Sequence, residues 1–357
     1  MEREKISSFD ALRVAACFFV MSFHAYITLL GYSGVSIFFV MSGFLCVYNY
    51  FGDGKTSKLG IGESLRFSLK KIKKLYPLHL VMLIYPLATQ FYGLVNGLLP
   101  AWRFITKLAA NVLLIHAWIP VNEYYFSFNV PSWYLSAMMF LYFMLPFILR
   151  CMEKYRSRRT AFMTALAVFL LQIVSSVAAE KIYIAAAKPD SAALAGFYQW
   201  FIQVFPIYRL GDFVIGGNLA YIFLHREKRE LSYAHCTAAE LAAIFLMVLA
   251  QFIYIRVPKN TTCIFLVSSA ALVYTFALNS GYISRVLTNK VIKHFAALSA
   301  DIYLIHFPVI MFAGAISTRL PLGTGAQKTF FLCFVFGLTY AIAILVKSIR
   351  RKNRRFT

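Results

Sequence analysis

The chain has 357 residues, of which 60% are hydrophobic and only 14% charged, with a formal net charge of +22. Soluble domains are roughly half apolar and a quarter charged, so this composition excludes a soluble domain of useful size and predicts an all-α, polytopic transmembrane helical bundle, a single domain over 1–357. The excess lysines and arginines fall in short runs between apolar segments, which fits topology beside anionic membrane lipid and excludes nucleic acid as a partner.

The first apolar segment, 9–30, is long enough to span a membrane, yet it contains Arg13 and His24. It lacks the shape and cleavage site of a signal peptide, so it is expected to be retained as the first helix. A cation inside a bilayer costs at least a few kcal/mol unless it faces protein or a wet cavity. Arg13 and His24 are close to three helical turns apart, on one face and roughly 16 Å apart along the axis. The run Gly34-Val35-Ser36-Ile37-Phe38-Phe39-Val40-Met41-Ser42-Gly43-Phe44 follows, within the second span, 33–51.

Further apolar runs at 75–97, 132–150, 160–182, 203–224, 236–256, 261–280, 295–316 and 328–347 bring the expected count to ten spans. A shorter run, 104–118, is read as re-entrant or interfacial, because the basic residues then sort by side. With a cytoplasmic N-terminus, 26 of the 36 basic residues fall in cytoplasmic segments and eight outside: Arg103, Lys107, Lys181, Lys188, Arg256, Lys259, Arg319 and Lys328. The cytoplasmic set includes Lys228 and Arg229, and also Arg354 and Arg355 at the C-terminal end. Counting 104–118 as a full crossing would place every later basic cluster outside, against the positive-inside rule. The expectation is a multi-pass cell-membrane protein with both termini cytoplasmic. The six cysteines are scattered with no metal-ligand spacing, and no metal is expected.

Several spans carry polar residues that could serve chemistry. Arg209 and Asp212 are three apart, a spacing for a local ion pair; it serves equally well as a buried structural pair. His306 precedes Pro308, where it could instead hydrogen-bond a carbonyl that the proline frees. Arg13 could snorkel toward the headgroups with Asp10 as its partner. Read together, Arg13, His24, Arg209, Asp301 and His306 are expected to line one cavity across the membrane. The densest basic stretch, Arg66 with Lys70, Lys71, Lys73 and Lys74 before Tyr76-Pro77, is either a topological flank or a site for a phosphorylated cofactor. No Gly-x-x-x-x-Gly-Lys loop supports nucleotide hydrolysis.

In chain order, the matching pieces are Phe9-Asp10-Ala11-Leu12-Arg13 with His24, Gly34-Val35 to Phe38-Phe39-Val40, and Ser42-Gly43-Phe44. The basic run into Tyr76-Pro77 follows, then Ser132-Trp133-Tyr134-Leu135-Ser136. Tyr208-Arg209 with Asp212-Phe213 and Gly216, then Ser299, Tyr303, His306 and Pro308, complete the series. Over about 300 residues this pattern resembles the acyltransferase-3 family of integral membrane acyltransferases. It departs from the family's habit at Lys71 and Lys74, where arginines are common, at Ser36, where an acid is common, and at Met138, where a glutamate is common.

The resemblance implies about ten helices and transfer of an acyl group, most often acetyl from acetyl-CoA, to a hydroxyl of a surface or secreted glycan or a lipid-linked saccharide, with macrolide and lipid acceptors also known in the family. On that basis His24 and Arg13 are the expected catalytic residues. Arg66, Lys70, Lys71, Lys73 and Lys74 are expected to bind acyl-CoA. Asp10, Ser42, Trp133, Ser136, Arg209, Asp212 and His306 are expected to position substrate. An imidazole with an ordinary pKa near about 6.5 suits general-base work at neutral pH, and an acyl-imidazole role is the alternative. From a different class, a transporter or flippase of a glycan or small anion could use the same charged cavity.

Overall fold

The computed structural model describes residues 3–186, 192–227, 231–256, 263–320 and 323–353. Lys188, Lys228, Arg229, Lys259, Arg354 and Arg355, six of the basic residues behind the expected topology, lie outside the described residues, as do residues 261–262 of the expected eighth span. Among the described residues there are helices and no strand: α1 (Phe9–His24), α2 (Gly31–Tyr50), α3 (Ile61–Ile72), α4 (Tyr76–Met82), α5 (Ile84–Val95), α6 (Ala101–Val112), α7 (Asn122–Tyr125), α8 (Trp133–Met152) and α9 (Arg158–Ala186). The series continues with α10 (Ala192–Gln199), α11 (Pro206–Leu224), α12 (Tyr233–Arg256), α13 (Ile264–Leu278), α14 (Tyr282–Val286), α15 (Lys290–Ala296), α16 (Ser299–Ser317) and α17 (Thr324–Asn353).

The chain is a multi-pass membrane bundle. Seven segments among the described residues are long and apolar enough to cross: α2, the α4–α5 pair, Val130–Met152, α9, α12, α16 and most of α17. The other three expected spans coincide with α1, α11 and α13, which are shorter or more polar. The expected first span of 9–30 is corrected to 16 residues, about 24 Å long, because the chain turns after His24. Tyr26 takes a left-handed conformation at φ 57°, and the Ile27 N–H closes the turn on the Ser22 carbonyl at 2.8 Å. α6, inside the 104–118 region, has 12 residues; at about 18 Å it is too short to cross a hydrocarbon core of ~30 Å.

α2 is the centre of the bundle, with α1, α11 and α13 packed around it. Its contact with α11 is backbone to backbone. A Cβ on Gly43 would lie 1.9 Å from the Phe213 carbonyl oxygen, and one on Gly216 would lie 2.0 Å from that of Val40. Only glycine allows that approach, so any larger residue forces the helices apart. α16 lies against α1 and α17, and α3 against α8. Pro308 removes an N–H inside α16 and so frees the Leu304 carbonyl. The Asn129 side-chain amide donates to that carbonyl at 2.9 Å, so His306 is not needed there.

Candidate active site

Arg13 and His24 share α1, but they look into different places. Arg13 borders a cavity of about 560 Å³ between α1, α2, α3, α8 and the start of α16. α2 contributes Phe38, Met41, Ser42, Leu45, Cys46 and Asn49, one continuous helical stripe. α8 contributes Tyr134, Leu135, Met138 and Tyr142, and Lys71, Lys74 and Leu75 come from α3 and the turn after it. The cations Arg13, Lys71 and Lys74 border this chamber, and no carboxylate is among its lining residues. A volume between a few hundred and about 1,000 Å³, with apolar walls and a few convergent polar groups, is typical of a small-molecule site.

The chamber is held open by polar tethers. Lys71 reaches the Tyr50 hydroxyl and lies 4.4 Å from the centroid of its ring, and the Ser68 hydroxyl on the same helix donates to the Met139 carbonyl. Arg13 has one ionic partner among the described residues, Asp10, at 3.4 Å, and its side chain is 34% exposed. Asp10 in turn takes Lys5 at 2.5 Å. At the far end of the chamber three rings meet: Tyr134 and Tyr303 at 5.3 Å between centroids, Phe38 and Tyr303 at 5.7 Å, and Phe38 and Tyr134 at 6.0 Å. The Ser42 hydroxyl sits 3.3 Å from that of Tyr134.

Beyond Tyr303 lies a pair of histidines. His306 Nε2 is 3.1 Å from His24 Nδ1, and the Tyr303 ring is 5.9 Å from that of His306. Each imidazole also touches a carbonyl of its own helix through Nδ1: His24 that of Val20 at 3.0 Å, and His306 that of Ile302 at 3.2 Å. A carbonyl only accepts, so both Nδ1 atoms carry the proton. His306 Nε2 is then a bare lone pair, which receives the His24 Nδ1–H alongside Val20. The second nitrogen of His24, Nε2, is left as a free acceptor. His306 is fully buried, whereas His24 is half-buried between the edges of Phe23 and Phe307.

The expected residues therefore separate into groups, and the expectation of one cavity lined by all of them is corrected. Arg13, Ser42, Lys71 and Lys74 face the chamber. His24 and His306 stand behind its ring wall. Arg209 and Asp212 are sealed elsewhere. Arg209 donates from Nη1 to Asp212 at 2.9 Å and from Nε to the Gln203 carbonyl at 2.7 Å, and it lies over Phe39, Trp133 and Tyr208. Gln172 completes the Asp212 carboxylate at 2.8 Å. Trp133 belongs to that packing, and Ser136 donates to the Leu114 carbonyl at 2.5 Å, pinning the turn after α6. Asp301 pairs with Arg350 at 2.6 Å. Arg66, Lys70 and Lys73 are exposed on α3 or just past it, together with Ile61, Leu65 and Leu69. Asp10 is buried beneath Arg13.

Tyr134, Tyr303, Phe38, Asn49 and Met138 were not among the expected site residues. The stripe at 38, 41, 42, 45, 46 and 49 on α2 is the signal that could have found Phe38 and Asn49.

A profile of the family described as an acyltransferase domain matches residues 6–347. Acyltransferase MdmB of Streptomyces mycarofaciens is 26% identical over 295 residues, which covers 80% of this chain and 70% of that protein. No solved structure matches the chain significantly.

Proposed function

The chain belongs to the acyltransferase-3 family, and from that membership and the shape of the chamber we propose that it carries an acetyl group from cytoplasmic acetyl-CoA to a hydroxyl of a cell-surface or secreted glycan. The observation that carries this reading is the chamber itself: three cations at one end, no carboxylate in its lining, apolar walls, and a histidine with a free Nε2 behind its inner wall.

Arg13 and His24 are 11 residues apart on one helix, about 16 Å. A pantetheine arm is equivalent to roughly four to five residues of extended chain, ~16 Å. A donor that places its thioester at His24 therefore places its diphosphate at Arg13, with Lys71 and Lys74 adding positive charge. Arg13 holds the donor by this geometry and does not reach the reacting carbonyl. Its half-buried guanidinium, with one long ionic contact, keeps donors free for a phosphate.

His24 Nε2 takes the proton of the acceptor hydroxyl as the oxygen attacks the thioester carbonyl carbon. The tetrahedral centre collapses, the C–S bond breaks, and the coenzyme A thiolate takes the proton from His24. His306 keeps the His24 proton on Nδ1 and so keeps Nε2 basic, a positioning role like that of the orienting group in a catalytic triad. The rings of Phe38, Tyr134 and Tyr303 must part for the thioester to reach Nε2. The transporter reading has less support, because it needs these rings to part for a whole saccharide, whereas acyl transfer needs passage only for a thioester arm.

The test is transfer of labelled acetyl from acetyl-CoA by the purified protein, together with mass spectrometry of surface polysaccharide from cells with and without it. Transfer with a mass difference of one acetyl per modified sugar supports the reading. Absence of transfer, with transmembrane movement of saccharide instead, sinks it.

A further inference from the structure

A second cavity lies on the other side of Asp10. It has a volume of about 480 Å³ and is bordered by Lys5 before α1 and Asp10 in its first turn, and by Thr288, Asn289, Lys290 and Lys293 around the start of α15. Its lining carries three lysines against one carboxylate. That carboxylate is already taken by Lys5 at 2.5 Å and Arg13 at 3.4 Å. Lys290 and Lys293 have no ionic partner among the described residues and are exposed. The cleft therefore offers two uncompensated ammonium groups three residues apart on one helix face; the Thr288 hydroxyl beside them donates to the Ser284 carbonyl, and the Asn289 amide caps α15 at Ile292 and donates to the Val286 carbonyl.

This cleft adjoins the donor chamber. Asp10 lines the cleft and Arg13, its ion-pair partner, lines the chamber. Lys293 lines the cleft, while Ala296 and Ala297, one turn further, line the chamber. A ligand whose diphosphate sits at Arg13 therefore lies one ion pair away from this cleft. The basic residues of α3 offer a poorer alternative. Arg66 and Lys70 share an exposed face with Leu65 and Leu69, the composition of a helix lying among lipid headgroups.

Resting on the acyl-CoA reading above, we propose that the Lys5–Lys290–Lys293 cleft binds the phosphomonoester of the donor, the 3′-phosphate of the adenosine of coenzyme A, and so selects acetyl-CoA over donors that lack it. The chemistry is that of compact ammonium charges meeting a dianionic phosphate. An anionic lipid headgroup would offer the same chemistry, and the experiment separates the two.

Steady-state acyl transfer is measured in detergent free of anionic lipid, with acetyl-CoA and with dephospho-acetyl-CoA. The expected result is a KM about tenfold higher for the dephospho donor at similar kcat, and loss of that preference in Lys290→Gln/Lys293→Gln. Lys290→Arg/Lys293→Arg keeps the preference, which separates charge from local structure. A preference that survives Lys290→Gln/Lys293→Gln, or disappears in Lys70→Gln/Lys73→Gln instead, overturns the proposal. So does a Lys290→Gln/Lys293→Gln effect that appears only when phosphatidylglycerol is added, which would assign the cleft to lipid. Turnover with no preference in the native protein overturns this inference alone, whereas absence of any acetyl-CoA turnover overturns both it and the reading it rests on.

Discussion

Two arginines in membrane helices meet opposite surroundings. Arg209 is 8% exposed at its side chain and has a carboxylate, a backbone carbonyl and three aromatic faces around its guanidinium. Arg13 is 34% exposed and has one ionic partner at 3.4 Å. Burial of a cation is tolerated when it is neutralised and hydrogen-bonded, and a group in that state has little left to give a ligand. A cation left partly unsatisfied beside a cavity is costly in the empty protein but gains a phosphate's full interaction. Arg209 thus fits a structural pair within the packing of α11, and Arg13 is the group that the proposed reaction uses to hold the donor's phosphates.

The largest effect lies at the end of α1, where the reaction is proposed to occur. His24→Ala should lower the rate of acyl transfer about 10³-fold, equivalent to roughly 4 kcal/mol, while folded protein is recovered normally. A fully active His24→Ala enzyme removes the proposed centre. Next, Arg209→Leu should destabilise the protein by about 3 kcal/mol, read by SDS titration of the purified protein, because it strands Asp212. The double variant Arg209→Leu/Asp212→Leu should recover most of that loss. A smaller effect is expected for Arg13→Met: kcat/KM down about 30-fold, or ~2 kcal/mol, with the SDS midpoint unmoved. If Arg13→Met behaves like Arg209→Leu in the denaturation assay, the two arginines are equivalent and the distinction fails. The smallest is Lys71→Gln, which should raise the KM for acetyl-CoA about fivefold with little change in kcat, since an ammonium tethered to Tyr50 acts as a point charge at the mouth.

The helical class, and the polar stripe on the first helix, were legible because membrane spans are bounded by composition and because Arg13 and His24 stand out against an apolar background. The early end of α1 was not. No glycine or proline marks the turn at 25–30, which depends on Tyr26 adopting a positive φ. The separation of the chamber from the histidines was also hidden. It depends on rings from α2, α8 and α16 that are remote in sequence and meet only when the helices pack. The Arg209–Asp212 spacing announced an ion pair correctly, yet spacing alone does not tell a sealed pair from an open one. Gln172, which finishes the sealing from α9, carries no signal of its own.

The three rings also bear on the movement of charge. Tyr134, Tyr303 and Phe38 meet at the chamber's inner end, on the path the thioester takes in the proposed reaction, so a charge crossing them would move through part of any transmembrane voltage drop. Moving a unit charge through such a drop is worth about 2.3 kcal/mol per 100 mV. In the proposed reaction nothing charged makes that passage. The phosphates stay with Arg13, the acyl group that advances is neutral, and the hydroxyl's proton returns through His24 to cancel the thiolate. If the reaction runs this way, turnover in proteoliposomes is expected to be the same with and without an imposed potential, and no ion gradient is expected to drive the modification or to be drained by it.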